Sequence, residues 1–199
     1  MAYIDFSRRF SELYSRLRRS YAEPHRVYHD WAHIESLLAQ LKRLQAQCVC
    51  REAMDLAIHY HDVIYDPPSK TNERDSAARM ADELTGAVAP AVLADAVTLV
   101  LATEKHLVPE VIRPELVADC GLFLDMDLSV LGSPPGDFDR YERAIREEYA
   151  AVPDDLYNSG RRTILERFLA RPAIYFSDVF RNSHEDRARE NLVYALSRL

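Results

Sequence analysis

Glycine is scarce in this sequence, and no apolar run is long enough to cross a bilayer. Only 5 glycines and 10 prolines occur among 199 residues, which excludes collagen-like and low-complexity chains. The most apolar run, residues 87–102, is interrupted by Pro90, Asp95 and Thr98 and falls short of the about 20 residues that a membrane helix needs. The first ten residues contain no apolar segment of the signal-peptide kind. We therefore expect a cytoplasmic protein that does not insert into membranes.

Cysteine is equally sparse. Cys48, Cys50 and Cys120 form an odd set in a chain without an export signal, so we expect reduced thiols rather than a disulfide framework. One residue separates Cys48 from Cys50, whereas zinc knuckles use a separation of two residues and a second pair. The cysteines therefore do not predict a structural zinc site.

Positive charge is in deficit. The 25 lysines and arginines are outnumbered by 32 aspartates and glutamates, which gives a formal net charge of −7. A field of this sign repels the phosphate backbone of nucleic acids. We therefore expect no long nucleic acid as a partner, while a small phosphorylated molecule remains compatible with the charge.

Apolar residues recur at helical spacing along most of the chain. Such stripes run through residues 6–17, 34–44, 53–61, 77–84 and 92–101. No alternating strand pattern, hairpin signal or long polar linker is present. The pattern predicts an all-α fold: a single-domain helical bundle of about eight or nine helices over residues 1–199. Within it, we expect Ser133 to start one helix and Asn182 or Ser183 to cap the last.

The first segment with unusual chemistry is a His-Asp pair on an apolar stripe. His61 follows Met54 and Ile58 at helical spacing, so it should point into the core with Asp62 beside it. An unpaired buried carboxylate carries a large desolvation cost, which a divalent cation offsets. A core histidine hydrogen-bonded to a carboxylate is the alternative explanation.

Two further segments place ionisable residues against apolar stripes. His29 and His33 stand four residues apart on one face of a predicted helix, and His33 shares a stripe with Leu37. Asp125 and Asp127 lie within an otherwise apolar run. A helix cap explains one of these aspartates, whereas both together favour a site.

Together, the three segments predict a metal centre. Histidine nitrogens and carboxylate oxygens suit Mn, Mg, Fe, Ni, Co or Zn, and the residue types alone do not choose among them. A set of two histidines and two aspartates supplies four protein ligands, which leaves positions for water in an octahedral shell. Water on such an ion is acidified towards neutral pH and becomes a nucleophile.

The order His, His-Asp, Asp resembles the HD-domain superfamily of metal-dependent phosphohydrolases. More narrowly, the chain is similar to a small bacterial group of predicted metal-dependent phosphohydrolases within that superfamily. The similarity covers about residues 6–199 and rests on RVYHDWAHI (26–34), YHDVIYD (60–66), Asn72-Glu73 with Ser76, FLDMDL (123–128), Gly160-Arg161 and EDRARENL (185–192).

The resemblance implies that His33, His61, Asp62 and Asp127 bind one divalent ion. It implies for Asp125 the role of a partner that orients a ligand histidine. A dinuclear site, to which other HD proteins contribute additional histidines, is the less favoured alternative.

The implied activity is hydrolysis of a phosphate ester of a small molecule, with nucleotides among the candidate substrates. Asp66 and Glu73 are predicted to join Asp62 in acid–base chemistry around the attacking water. Each has a simpler explanation: Asp66 suits the end of a helix before Pro67, and Glu73 suits the first turn of a helix, where a carboxylate stabilises the dipole.

Substrate contacts are predicted for three cations and two histidines, because phosphoryl oxygens need positively charged or hydrogen-bonding partners. The candidates are Arg26, His29, Lys105, His106 and Arg161. Arg26 and Lys105 each neighbour a histidine of the motifs, whereas Arg161 rests on the resemblance alone.

Two other functions compete with phosphate ester hydrolysis. A di-iron oxygenase would keep the metal and use His29 and His106 as additional ligands. A noncatalytic interaction or regulatory module would retain the HD fold alone. The sequence leaves the oligomeric state open between a monomer and a homodimer.

Overall fold

The structure, a computed structural model, describes residues 6–199, and the described residues form α-helices and 3₁₀ turns without a strand. In chain order the ten α-helices of these described residues are α1 Phe6–Arg9, α2 Ser11–Ser20, α3 Trp31–Leu44, α4 Arg51–Tyr60, α5 Asn72–Leu84, α6 Pro90–Ala102, α7 Pro114–Asp127, α8 Pro135–Glu148, α9 Asp154–Leu169 and α10 Asp178–Leu196. Two 3₁₀ helices cover Gln45–Gln47 and Leu128–Gly132. The predicted all-α fold is confirmed.

The chain divides into two compact units, Met1–Leu124 and Asp125–Leu199. The prediction of a single domain over residues 1–199 stays a prediction. None of the helices in residues 6–199 combines the length and the apolar character needed to cross a bilayer.

Helix α4 occupies the core of the first unit. All residues from Ala53 to Tyr60 are buried, and α4 packs against α3, α5 and α6. A helix enclosed on every side normally contains apolar residues throughout, yet α4 includes the buried Asp55 and His59. His59 is accommodated because its Nδ1 lies 2.8 Å from the Asp55 carbonyl and its ring stacks on Phe6 at a centroid distance of 4.4 Å.

Two helix ends in the first unit fix the backbone around the His-Asp pair. The Asp30 side chain caps α3 by accepting hydrogen bonds from the Ala32 and His33 amides, at 2.8 and 3.2 Å. Helix α4 ends at Tyr60, and the His61 amide makes the last helical bond, to the Ala57 carbonyl. His33 therefore lies in the first turn of one helix, and His61 directly follows another.

In the second unit, α8, α9 and the 3₁₀ helix Leu128–Gly132 contact α10 or one another. Ser177 caps α10 by accepting a hydrogen bond from the Phe180 amide. Gly132 lies against α10 so closely that a Cβ there would stand 2.5 Å from the His184 Cβ. This approach explains why position 132 carries no side chain.

Several predicted helix boundaries differ from the structure. Helix α8 begins directly after Ser133 and Pro134, as expected. Helix α10 begins at Asp178 instead of near Asn182, because Ser177 supplies the cap. Helix α3 begins only at Trp31, so the prediction that His29 and His33 share a helical face is wrong.

Candidate metal centre

Three predicted ligands, His33, His61 and Asp62, come together in the first unit. Their potential ligand atoms all lie within 4.8 Å of one another. The Nε2 atoms of His33 and His61 are 3.2 Å apart, and Asp62 Oδ2 lies 2.9 Å from His61 Nε2. The structure thus joins residues that are 28 positions apart in the sequence.

The group is largely withdrawn from solvent. His33 is 8% exposed and His61 is 1% exposed, while the Asp62 side chain retains 16% exposure. The edge of the Phe123 ring meets the His61 ring at 90° with centroids 5.9 Å apart. Electrostatic interactions are stronger in such surroundings than in water, and Asp62 keeps the site accessible.

The hydrogen bond of His61 indicates which ring nitrogen faces the group. His61 Nδ1 lies 3.0 Å from the Ile58 carbonyl oxygen. Since a carbonyl can only accept, Nδ1 must carry a hydrogen. In the neutral ring, Nε2 then holds the lone pair that binds metals, and a backbone partner of this kind fixes the ring orientation.

A cation fits among these three side chains. The Nε2 lone pair and the Asp62 carboxylate both accept, so their 2.9 Å contact requires a positive charge or a proton between them. Bonds of about 2.1 Å to one ion place neighbouring ligand atoms roughly 3.0 Å apart in an octahedron, close to both observed separations. A doubly protonated His61 paired with Asp62 is the arrangement that needs no ion.

Arg26 holds the turn that contains the His-Asp pair. Its Nη1 donates to the carbonyls of Asp62 and His29, at 2.7 and 3.1 Å, and its Nη2 donates to the carbonyl of Val63 at 3.2 Å. Its Nε donates to Glu23 at 3.0 Å. The Arg26 side chain has no solvent exposure, so the structure gives it a positioning role, and its phosphate contact stays a prediction.

Asn72 and Ser76 hold the loop that follows. Asn72 accepts from the Asp66 amide at 3.1 Å and donates to the Asp66 carbonyl at 2.9 Å. The Ser76 hydroxyl bonds both the amide and the carbonyl of Ile64. The sequence motifs of the HD resemblance include both residues, but the sequence analysis assigned them no role. Their position near the start of α5 is the feature that could have indicated a contact with the preceding loop.

The same loop corrects the placement of Asp66. Helix α4 ends at Tyr60, so the interpretation of Asp66 as the end of a helix before Pro67 is wrong. Asp66 is instead an exposed residue of the loop between α4 and α5. Its carboxylate makes no hydrogen bond within residues 6–199, so it is available to solvent or to a ligand.

Glu73 lies in the first turn of α5 and is half-buried, as its helix-dipole interpretation predicts. Lys105 and His106 lie in the turn after α6, where His106 has a φ of 50°. Non-glycine residues adopt this left-handed conformation infrequently. The substrate roles of Lys105 and His106, and the acid–base role of Glu73, stay predictions.

His29 lies in an aromatic group beside His33. The His29 ring is 4.3 Å from the Tyr65 ring and 6.1 Å from the His33 ring, measured between centroids. Tyr28 lies 5.0 Å from His33 by the same measure. These side chains form the flank of the His33 ring, and the substrate contact predicted for His29 stays a prediction.

Asp125 and Asp127 belong to the second unit. Asp125 is fully buried, and its carboxylate accepts from the Phe176 amide at 2.7 Å, the Ser177 amide at 2.7 Å and the Ser177 hydroxyl at 2.6 Å. Burial raises the pKa of Asp125, and these hydrogen bonds oppose the rise. Asp125 therefore anchors the segment before α10, a role that the sequence did not predict; its orienting role and the ligand role of Asp127 stay predictions.

Arg161, the third predicted phosphate contact, is a buried residue of the second unit. Its guanidinium forms an ion pair with Glu142 and donates to the Tyr141 hydroxyl at 3.2 Å. The structure thus gives Arg161 a role in joining α9 to α8, and its substrate contact stays a prediction.

The comparisons with known proteins found no counterpart: no protein-family model, curated protein or solved structure matches this chain. The HD-superfamily resemblance therefore rests on the sequence motifs alone, and what bears on function is the geometry around His33, His61 and Asp62.

Proposed function

We propose that this chain is a metal-dependent phosphohydrolase that cleaves a phosphate ester of a small molecule, with nucleotides among the candidates. The observation that carries the proposal is the contact between His61 Nε2, His33 Nε2 and Asp62 Oδ2, with His61 Nδ1 occupied by a carbonyl. Two imidazole nitrogens and one carboxylate oxygen thus lie within 4.8 Å of one another, close enough to bind one metal ion. The proposed setting is the cytoplasm.

His33, His61 and Asp62 would hold the divalent ion. A bound divalent ion supplies a positive charge that polarises a phosphoryl oxygen and lowers the pKa of water. The chain's own contribution begins with orientation: Ile58 fixes the His61 ring, and Arg26 fixes the backbone at Asp62.

Proton transfer is proposed for carboxylates that follow the metal group in the chain. Asp66 is exposed and Glu73 is half-buried, so both remain reachable by water. A general base must come within hydrogen-bond reach of the proton that it accepts. Lys105 is the proposed cation for the phosphoryl oxygens because it is exposed, whereas Arg26 and Arg161 are buried.

Metal content tests the proposal directly. Inductively coupled plasma mass spectrometry on gently purified wild type, Asp62→Ala and Asp82→Asn is the experiment. Asp82 is an exposed aspartate of α5 and serves as the matched control. About one equivalent of metal is expected in wild type and in Asp82→Asn, with loss in Asp62→Ala, because Asp62 supplies one of the few protein ligands.

A screen of small phosphate esters with the identified metal then tests the activity. Release of inorganic phosphate by wild type, lost in Asp62→Ala, supports the proposal. Two equivalents of iron with oxygen-dependent turnover would favour the di-iron oxygenase instead. Absence of metal from wild type after incubation with Mn, Ni and Fe would favour a His61–Asp62 ion pair in a noncatalytic module.

A further inference from the structure

A second candidate site is a cleft between helices of the second unit. The cleft has a volume of about 240 Å³, and residues of α8, α9 and α10, together with Arg198 and Leu199, line it. Phe138, 1% exposed, and Ala195, 6% exposed, supply apolar surface. The cleft shares no residue with the His33, His61 and Asp62 group.

Both acidic residues of the cleft already have cationic partners. Glu142 is paired with Arg161, and Asp139 lies 3.5 Å from Arg198. Their negative charge is therefore largely compensated before any ligand arrives. The lining contains two further arginines, Arg143 and Arg146.

These two arginines differ in their contacts. Arg146 donates to the Tyr149 carbonyl at 2.7 Å and to Asp154 at 2.6 Å, and its guanidinium lies over the Tyr157 ring. Arg143 is exposed and makes no hydrogen bond or ion pair within residues 6–199. Arg143 is thus the cation of the cleft that has no counter-ion in the described part of the chain.

Two neutral donors belong to the same cleft lining. Tyr157 is 9% exposed, yet its hydroxyl makes no hydrogen bond within the described residues and is not sealed from solvent. Asn158, the next residue of α9, likewise has no side-chain partner there. Tyr157 and Asn158 therefore offer the cleft a hydroxyl and an amide that are not engaged by other side chains of the described residues.

We propose that this cleft binds a small organic anion, whose oxyanion accepts from Arg143, Tyr157 and Asn158 while its apolar body lies against Phe138 and Ala195. A guanidinium favours phosphate and carboxylate, which accept its hydrogen bonds at short distance. Burial raises the pKa of Tyr157 to about 12, so its hydroxyl remains a donor at neutral pH.

Isothermal titration calorimetry on the full chain tests the proposal with phenylphosphonate, benzoate and inorganic phosphate. Phenylphosphonate is chosen because its P–C bond withstands phosphate ester hydrolysis. EDTA in the buffer removes any metal from the His33 group, so that binding there is not counted. Stronger binding of phenylphosphonate than of inorganic phosphate is expected, because only the former carries an apolar body.

The variants Arg143→Ala, Tyr157→Phe and Arg162→Ala identify the site. Arg162 is an exposed arginine of α9 outside the cleft lining and is the matched control. We expect about tenfold weaker binding in Arg143→Ala, the effect of losing a hydrogen bond to a charged group. Tyr157→Phe should lower affinity by a smaller factor, and Arg162→Ala should bind as wild type does.

Two results overturn the proposal: no binding of any of the three anions by wild type, or equal affinity in wild type, Arg143→Ala and Tyr157→Phe. A preference for benzoate over phenylphosphonate would identify a carboxylate ligand, and the reverse a phosphate ligand; both support an anion site. Because Arg143 is exposed, its variant is expected to fold even where Tyr157→Phe does not.

Discussion

The guanidinium of Arg26 donates a hydrogen bond of 2.7 Å to the main-chain carbonyl of Asp62, 36 residues further along the chain. This bond fixes the backbone of a proposed ligand through a residue that does not itself face the metal group. Partners of metal ligands commonly matter for affinity nearly as much as the ligands. The Arg26–Asp62 hydrogen bond therefore connects the loop before α3 to the proposed metal ligands that follow α4.

Replacement of Arg26 by lysine is expected to weaken metal binding while leaving the fold intact. A single ammonium cannot reproduce donation to Glu23, Asp62 and Val63 from a planar guanidinium. We expect metal affinity to fall by about tenfold or more. Competition with a metal-sensitive dye measures the affinity, and circular dichroism confirms the helical content.

The matched control for this prediction is Arg19→Ala, since Arg19 is an exposed arginine of α2 without a side-chain partner in the described residues. Its metal affinity should equal that of wild type. A loss of thermal stability in Arg26→Lys with unchanged metal affinity would show that Arg26 is structural only.

Removal of the metal is expected to lower the melting temperature of wild type. A ligand that binds only the folded state at about 100 times its Kd adds about 2.7 kcal/mol, which for a chain of this size corresponds to a shift of about 7 °C. Differential scanning fluorimetry with and without EDTA measures this shift. The Asp62→Ala variant should show none, and an equal shift in both proteins would contradict the proposed site.

Gly132→Ala should destabilise the second unit. The added Cβ would lie 2.5 Å from the His184 Cβ and 2.7 Å from its carbonyl oxygen, so α10 or the 3₁₀ helix must move. We expect a loss of about 2 kcal/mol in the free energy of unfolding, typical of overpacking. Urea denaturation measures the change.

Gly160→Ala is the contrasting variant. Gly160 lies within α9, and a Cβ there meets nothing within 4 Å. Alanine favours the helix by up to about 1 kcal/mol over glycine, so this variant should be more stable than wild type. Destabilisation of similar size by both substitutions would show that the close approach at Gly132 is not the cause.

Cys120→Ala should alter how stability depends on alkaline pH. Burial raises the pKa of the Cys120 thiol from 9.0 to about 12. The folded chain therefore retains a proton that the unfolded chain releases, and this contribution to stability declines as pH rises above 9.0. At pH 8, loss of the buried Sγ should cost about 1 kcal/mol.

The pH dependence separates the thiol's protonation from its packing. The stability difference between wild type and Cys120→Ala should shrink between pH 8 and pH 10, because only wild type has this thiol to ionise on unfolding. Urea unfolding at the two pH values measures it. A difference that stays constant would mean that Cys120 contributes by packing alone.

The sequence predicted the ligand types better than the geometry that holds them. His33, His61 and Asp62 were recognisable because ionisable residues stood on apolar stripes, and periodicity is a local property that helices preserve. The end of α4 at Tyr60 was not recognisable. The next carbonyls of the helix, those of Ile58 and His59, are contacted by the His61 ring and the Tyr21 hydroxyl, and periodicity does not contain such contacts.

The assignments for Arg26 and Asp125 show a related limit. Both residues carry charges that suggested roles at the site, and both are buried in hydrogen bonds to distant backbone. The sequence alone does not show whether an arginine next to a motif histidine contacts substrate or donates to a main-chain carbonyl. Distinguishing the two requires knowing which unpaired backbone groups lie nearby.

By itself, the sequence determined the all-α fold, the start of α8 and the identity of the clustered His and Asp residues, because helical spacing and proline position are encoded locally. Only the tertiary structure decided that His33 and His61 face one another, that Arg26 clamps the turn at Asp62, and that Arg143 and Tyr157 share a cleft. Each of these depends on the packing of separate helices, whose relative positions are set by burial and hydrogen bonding across many residues.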